Sequence, residues 1–292
     1  MDVSRSAEGA EGAEGVEGAG RARPDHGDPP AERPERPERP ERPERPERPE
    51  RPKRPELADL ADLAALDRRI TDCRACPRLV AWREEVAATK RAAYAEWTYW
   101  GRPVPGFGPP DAPLLIVGLA PAAHGGNRTG RMFTGDRSGD VLYQALYDVG
   151  LASQPTSVAV GDGLELYGVR ITAPVHCAPP DNRPTPVERD TCRAWLVDEL
   201  RLLRPTLRAV LVLGAYGWQA TLPALAEAGR PVPRPRPAFA HGAHVRLADG
   251  LHLLGCYHVS QRNTFTGRLT PEMLRESLRT AARAAAVEAP DP

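Results

Sequence analysis

Two periods of apolar residues alternate along most of this chain. The stretch "LADLADLAALDRRI" (57–70) repeats leucine and isoleucine three and four positions apart, which predicts an amphipathic helix. After "CRACPRL" and a loop rich in Gly, Pro and aromatics comes "APLLIVGLAP" (112–121), a short apolar run closed by Gly and Pro, as in a buried strand. From there the pattern predicts a helix over 138–150 and a second strand in "GVRITAPV" (168–175). A helix follows in "TPVERDTCRAWLVDELRLL" (185–203), a third strand in "LRAVLVLG" (207–214) and a helix in "AYGWQATLPALAEA" (215–228). A fourth strand, "LHLLGCYH" (251–258), and a helix in "TPEMLRESLRTAARAAAVEA" (270–289) complete the series. Thr185 as N-cap, with Pro186 and then Glu188, spells a capping box; Thr270 followed by Pro271 is a second helix start.

Strands alternating with helices imply a mostly parallel sheet covered on both faces, in one domain of about 230 residues. Reactive loops in such a sheet gather at the carboxyl ends of the strands. The two most polar segments, 118–139 and 258–270, both lie just after predicted strands.

The first part of the chain follows a different rule. Residues 24–55 contain a run of "ERP" triplets, in which proline at every third position fixes φ and removes donors. Together with the Gly/Ala/Glu segment before it, this predicts a disordered low-complexity tail over 1–56 acting as a solvated spacer, with the folded domain over 57–292. The 39 basic and 39 acidic residues cancel; 12 and 15 of them lie in the tail, leaving 27 and 24 in the domain. Any nucleic-acid surface must therefore be a local concentration of arginine. No apolar run approaches the roughly 20 residues that span a bilayer, and no secretory signal opens the chain, so a cytoplasmic protein is expected.

Of the five cysteines, Cys73 and Cys76 form C-x-x-C, while Cys177 and Cys192 stand fifteen apart, one after a strand and one on the following helix. Four thiolates make a complete metal site, and spacing alone leaves tetrahedral zinc and a four-iron cluster both open. Structural disulfides fit a cytoplasmic chain poorly. Cys256, inside its strand, is expected to be a small core residue.

The segments "GLAPAAHGGNRTGRMFTGDRSG" (118–139) and "HVSQRNTFTGRLT" (258–270) resemble the two active-site motifs of the family 5 (type b) uracil-DNA glycosylases. The cysteine pattern is similar to the cluster ligands of the iron–sulfur branches of that superfamily, and the resemblance covers the chain after Leu57. It implies a three-layer α/β/α fold around a four-stranded parallel sheet and a structural [4Fe–4S] cluster on Cys73, Cys76, Cys177 and Cys192. It further implies a hydrolase that releases uracil and other deaminated bases, such as hypoxanthine and xanthine, from double-stranded DNA, and a monomer is expected.

The chemistry of that reaction assigns candidates. An extruded base needs an aromatic face, donors for the charge developing on its O2, and a water delivered to C1′. Phe133 is the stacking candidate, and His258 stands where the superfamily places the donor to the pyrimidine oxygen. The resemblance would place a polar group early in the first motif where Ala122 and Ala123 stand, which removes the simple general base. Asp136 is the expected catalytic carboxylate, its competing role being a helix N-cap. Asn127, His124 and Asn263 are candidates to orient water or phosphate, and Gly118 and Ala122 to line the base site. Ala173 occupies the expected base-reading position, with Asn182 a possible contributor; Gln261 and Arg262 are candidates to enter the gap left in the duplex. Arg128, Arg131, Arg137, Arg262 and Arg268 flank the motifs and are expected to form a phosphate-binding rim. Only Lys53 and Lys90 occur, so a Schiff-base lyase step is not expected and the product is an intact abasic site. Two alternatives are a non-catalytic, metal-containing nucleic-acid module that senses oxidation and a zinc hydrolase, the latter disfavoured because four protein ligands leave no open position.

Overall fold

The computed structural model describes residues 62–287; the predicted tail, and the first positions of the helix read from Leu57, lie outside the described residues. Asp62 caps the first helix, α1 (Leu63–Thr71), by accepting the Ala65 N–H, and α2 (Pro77–Thr89) begins at Cys76. The order then runs β1 (Leu114–Val117), α3 (Gly126–Thr129), α4 (Arg137–Asp148), β2 (Val169–Thr172) and α5 (Pro186–Leu202). It ends with β3 (Ala209–Leu213), α6 (Ala215–Glu227), β4 (His244–Arg246), β5 (His252–Cys256), α7 (Gln261–Phe265) and α8 (Pro271–Ala285).

The sheet order is β2-β1-β3-β5-β4. Four strands are parallel, with Leu114 opposite both Val169 and Ala209, and Ala209 opposite His252. The expectation of four parallel strands is corrected by a fifth, β4, which pairs antiparallel with β5 at the edge. At three residues, with His244 and Arg246 exposed, β4 offers no apolar run by which a strand is recognised. Two further segments read as loop are helical. In α2 the inner stripe of Leu79, Val80 and Val86 is interrupted by Arg83, only 2% exposed, so the helical period is broken at its centre. The residues of α7 are polar but for Phe265, and none is buried.

Residue alternation sends the parallel strands' side chains to two cores. Leu114, Ile116, Ile171 and Leu211 pack under α4 and α8; Leu115, Val117, Val210 and Val212 pack under α1, α5 and α6. Cys256 is fully buried in the first of these. The capping box at α5 is complete: Thr185 Oγ1 accepts the Glu188 N–H at 3.2 Å and Glu188 Oε2 accepts the Thr185 N–H at 2.7 Å. Thr270 Oγ1 likewise accepts the Met273 N–H at the start of α8. A buried cation ties two layers together, since Arg170 on β2 bonds Glu199 on α5 at 2.6 Å and Asp67 on α1 at 2.7 Å. No helix among the described residues is long and apolar enough to cross a membrane.

The chain leaves β1 toward β2 on one side, and leaves β3 toward β5 on the other. The carboxyl ends of β1 and β3 therefore border the point at which the winding reverses, where open α/β sheets form a crevice.

Candidate active site

A cavity of about 510 Å³ opens at that crevice. Its wall is built by four segments: 119–122 after β1, 132–138 leading into α4, Ala173 and Asn182 after β2, and His258 with 260–262 after β5. The two distant polar motifs thus meet in one site.

Phe133 and His258 face each other across it with ring centroids 6.2 Å apart and planes inclined by 36°. A base sandwiched between two faces needs about 7 Å, twice the ~3.5 Å contact distance. The spacing instead suits a planar ring laid on Phe133 with the imidazole at its edge. Three glycines set this geometry. A Cβ on Gly118 would lie 2.7 Å from Phe133 Cζ, and one on Gly139 would lie 1.7 Å from the Phe133 carbonyl oxygen. Phe133 itself sits at φ +52°, a left-handed conformation that a phenylalanine adopts only when its surroundings impose it. Behind the other ring, a Cβ on Gly214 would lie 3.0 Å from that of His258. Burial pushes the His258 imidazole down to about 4, so it is neutral at physiological pH and keeps one N–H to donate.

Asp136 stands both at the start of α4 and on the cavity wall. Its Oδ1 accepts the Gly139 N–H at 3.0 Å and so caps α4, while the side chain lines the cavity and Oδ2 lies against Gly125, where a Cβ would come within 2.1 Å. Burial raises its pKa above the ordinary aspartate value, opposed by the N–H groups of Gly139 and Ser138. A carboxylate with one oxygen fixed and raised basicity is suited to hold and deprotonate a water.

The other expected residues divide between the cavity wall and positions away from it. Ala122, Asn182, Gln261 and Arg262 line the cavity, and Gly118 supports it by making room for Phe133. Asn127 does not reach it: fully buried, it donates through Nδ2 to the Arg83 carbonyl at 3.2 Å. His124 pairs through Nδ1 with the Tyr99 hydroxyl at 3.0 Å, outside the cavity wall. Asn263 also stays outside it, where its Nδ2 donates to the His258 carbonyl at 2.8 Å; it positions the histidine instead of facing a substrate. Each of the three amide or imidazole groups finds a protein partner, and spacing along the chain cannot reveal such partners.

The arginine rim is likewise smaller than expected. Arg128 is buried, stacked 3.9 Å from the Tyr94 ring centroid and bonded to the carbonyls of His124 and Gly135. Arg131 is buried against Asp162. Arg137 and Arg262 line the cavity and are exposed, and Arg268, also exposed, is not among its lining residues; Arg137 lies over Phe265 and Arg268 over Tyr257. Ser138 and Ser260 also line the wall, and nothing in their local sequence singled them out.

Cys73, Cys76, Cys177 and Cys192 line a second, small pocket between α2, the chain after β2, and α5. None is in a disulfide. Arg83 Nη1 donates to Cys177 Sγ at 2.9 Å and the His176 N–H donates to Cys192 Sγ at 3.4 Å. Burial, and then the neighbouring thiolate of Cys177, push Cys76 up to about 12; burial also raises Cys177 to about 11 and Cys192 well above the thiol range. Thiols raised in this way lose their protons only to a cationic partner. Among the described residues, no three metal-binding side chains close on a single ion position.

Comparison with known proteins adds a family. The model of the uracil DNA glycosylase superfamily matches residues 105–282. The chain is 57% identical over 223 residues to a type-5 uracil-DNA glycosylase of Mycobacterium bovis, covering 76% of this chain and 82% of that protein. Type-5 uracil-DNA glycosylases of Mycobacterium leprae and Thermus thermophilus are 55% identical over 222 residues and 53% over 223, covering 76% of this chain and 95% and 97% of theirs.

Proposed function

The chain belongs to the uracil DNA glycosylase superfamily and acts as a uracil-DNA glycosylase, and we propose that it does so in the cavity between Phe133 and His258. The observation that carries this assignment is the pairing of those two rings, 6.2 Å apart on one wall-to-wall site built by two segments more than a hundred residues apart. A uracil turned out of the duplex stacks on Phe133, and the neutral His258 donates its N–H toward O2. The water held by Asp136 Oδ2 attacks C1′. As the C1′–O bond forms and the N-glycosidic bond breaks, the electron pair passes to N1 of the base, and the water's proton passes to the carboxylate. Charge on the departing base is offset by the His258 N–H, and charge on the sugar by Asp136.

Among the described residues no lysine lines the cavity, and Lys90 is spent on the Ala95 carbonyl at 2.9 Å, which supports release of an intact abasic site. Ala173, buried on the wall, brings no side-chain amide to read a base edge; this supports acceptance of hypoxanthine and xanthine beside uracil in double-stranded DNA. Phosphates lie on Arg137, Arg262 and Arg268. The protein works as a monomer in the cytoplasm.

The four cysteines fit a [4Fe–4S] cluster: they line one pocket, and two of their sulfurs accept N–H donors, from Arg83 and from the His176 backbone. Bound there, the cluster would staple α2 to α5 and the chain after β2, a structural role remote from the reacting atoms.

The test incubates purified protein with duplexes carrying uracil, hypoxanthine or xanthine and detects abasic sites by alkaline scission. Cleavage lost in His258→Ala, with folding intact, supports the assignment. Binding without product, or an unaffected His258→Ala, overturns it.

A further inference from the structure

Beside the cavity stands a loop, residues 153–163, whose chemistry the reaction above leaves unused. Val158 and Val160 at its tip are 52% and 66% exposed, an unusual placement for two aliphatic side chains in one short turn. The loop is nevertheless rigid. Asp162 gathers five hydrogen bonds: from Arg131 Nη1 at 2.9 Å and Nη2 at 2.6 Å, and from the N–H groups of Val158, Ala159 and Leu164 at 2.8, 3.2 and 3.1 Å. Glycines at φ +85° on either side of Asp162 let the backbone fold round that carboxylate.

The same loop is fastened to the reactive turn. The Ser157 carbonyl accepts the N–H of Gly135, the residue before Asp136, at 3.1 Å, and its hydroxyl pairs with Thr134 Oγ1 at 2.6 Å. Its one charged residue, Asp162, is neutralised by Arg131, and that pairing explains why an arginine of the first motif is withheld from phosphate. The tip therefore presents an uncharged aliphatic surface on a loop fastened to the turn that carries Phe133 and Asp136.

We propose that residues 153–163 form an apolar finger that touches the sugars and base edges of duplex DNA beside the extruded nucleotide through Val158 and Val160. Without a cation the tip has nothing to offer phosphate, whereas aliphatic side chains pressed into a groove unstack neighbouring bases and favour the opened duplex. Arg131 and Asp162 are its positioning residues. The inference rests on the glycosylase reading of the adjoining cavity.

The experiment uses the full-length protein and its Val158→Ser/Val160→Ser variant on a uracil duplex with 2-aminopurine next to the uracil, and on the same strand alone. Expected is a KM for the duplex raised on the order of tenfold, with kcat within about twofold. The 2-aminopurine fluorescence rise on binding should largely disappear, while single-strand cleavage and melting temperature stay unchanged. Asp162→Ala, which frees the tip, should raise the duplex KM similarly and add little to the double variant. Unchanged duplex KM and fluorescence overturn the finger, as does an equal loss on single and double strands. So does a variant that keeps its DNA affinity and changes only self-association. If the wild-type protein cleaves neither substrate, the glycosylase reading itself falls; if it cleaves both and the variant matches it, only the finger does.

Discussion

Gly118→Ala isolates the contact on which the base site depends. The added methyl carbon would lie 2.7 Å from Phe133 Cζ and 2.8 Å from Cε2, against an ordinary contact of 3.4 Å or more, so the ring edge must retreat by about 0.7 Å. Phe133 yields readily, because the atoms struck are the far end of its side chain and it borders an open cavity. Folding should hardly change: Gly118 is not among the positive-φ positions, and Gly→Ala recovers about 0.4–1 kcal/mol from the unfolded chain. Catalysis should suffer, since misplacing a positioned group by about 1 Å costs on the order of a hundredfold. A retreat of this size is expected to lower kcat/KM by roughly ten- to fiftyfold, or about 1.4–2.3 kcal/mol of transition-state stabilisation. Single-turnover scission of an end-labelled uracil duplex measures this, in the wild-type background and in Phe133→Ala. With the ring removed, Gly118→Ala should cost less than about twofold, a coupling above 1 kcal/mol. The same fold-loss in both backgrounds, or wild-type rates in the single variant, would refute the argument that Gly118 acts by seating Phe133.

Further expectations concern the charged groups. His258 titrates near 6.5 when unfolded and at about 4 when folded, so between those values the unfolded chain binds more protons. Its contribution, about 3 kcal/mol, is full above pH 6.5 and lost as pH falls toward 4; urea midpoints at pH 7, 5.5 and 4.5 should fall less in His258→Gln than in the wild type. Asp136→Asn keeps an acceptor for the Gly139 N–H and should hold the melting temperature within a few degrees, while kcat drops on the order of a hundredfold. Arg137→Ala, Arg262→Ala and Arg268→Ala should each reduce the slope of log K against log salt by about one. Arg131→Ala, which strips the partner from Asp162, should instead cost about 3 kcal/mol of stability by urea titration. Cys192→Ser should lose visible absorption and iron together with thermal stability, and zinc in the wild-type protein by metal analysis would reverse the cluster assignment.

Local chemistry alone determined much of this protein. The runs at 114–117 and 209–213 are strands because nothing polar interrupts them, 169–172 and 252–256 read the same way from their remaining apolar positions despite Arg170, Thr172 and His252, and Thr185 and Thr270 start helices because their hydroxyls satisfy backbone N–H groups within the next turn. The two motifs were legible for the same reason: polar side chains concentrated just after strands face solvent or substrate, and both were found around one cavity. Tertiary structure decided what no local pattern carries. Arg128, Arg131 and Asn127 look like their solvent-facing neighbours until a fold supplies Tyr94, Asp162 and the Arg83 carbonyl as partners. The helix α2 is hidden by an arginine on its inner face that has a purpose only once Cys177 lies beside it. Hydrogen bonds and ion pairs join residues tens to hundreds of positions apart, so the division between a side chain spent on structure and one left for DNA is made by distance in space, which order along the chain does not contain.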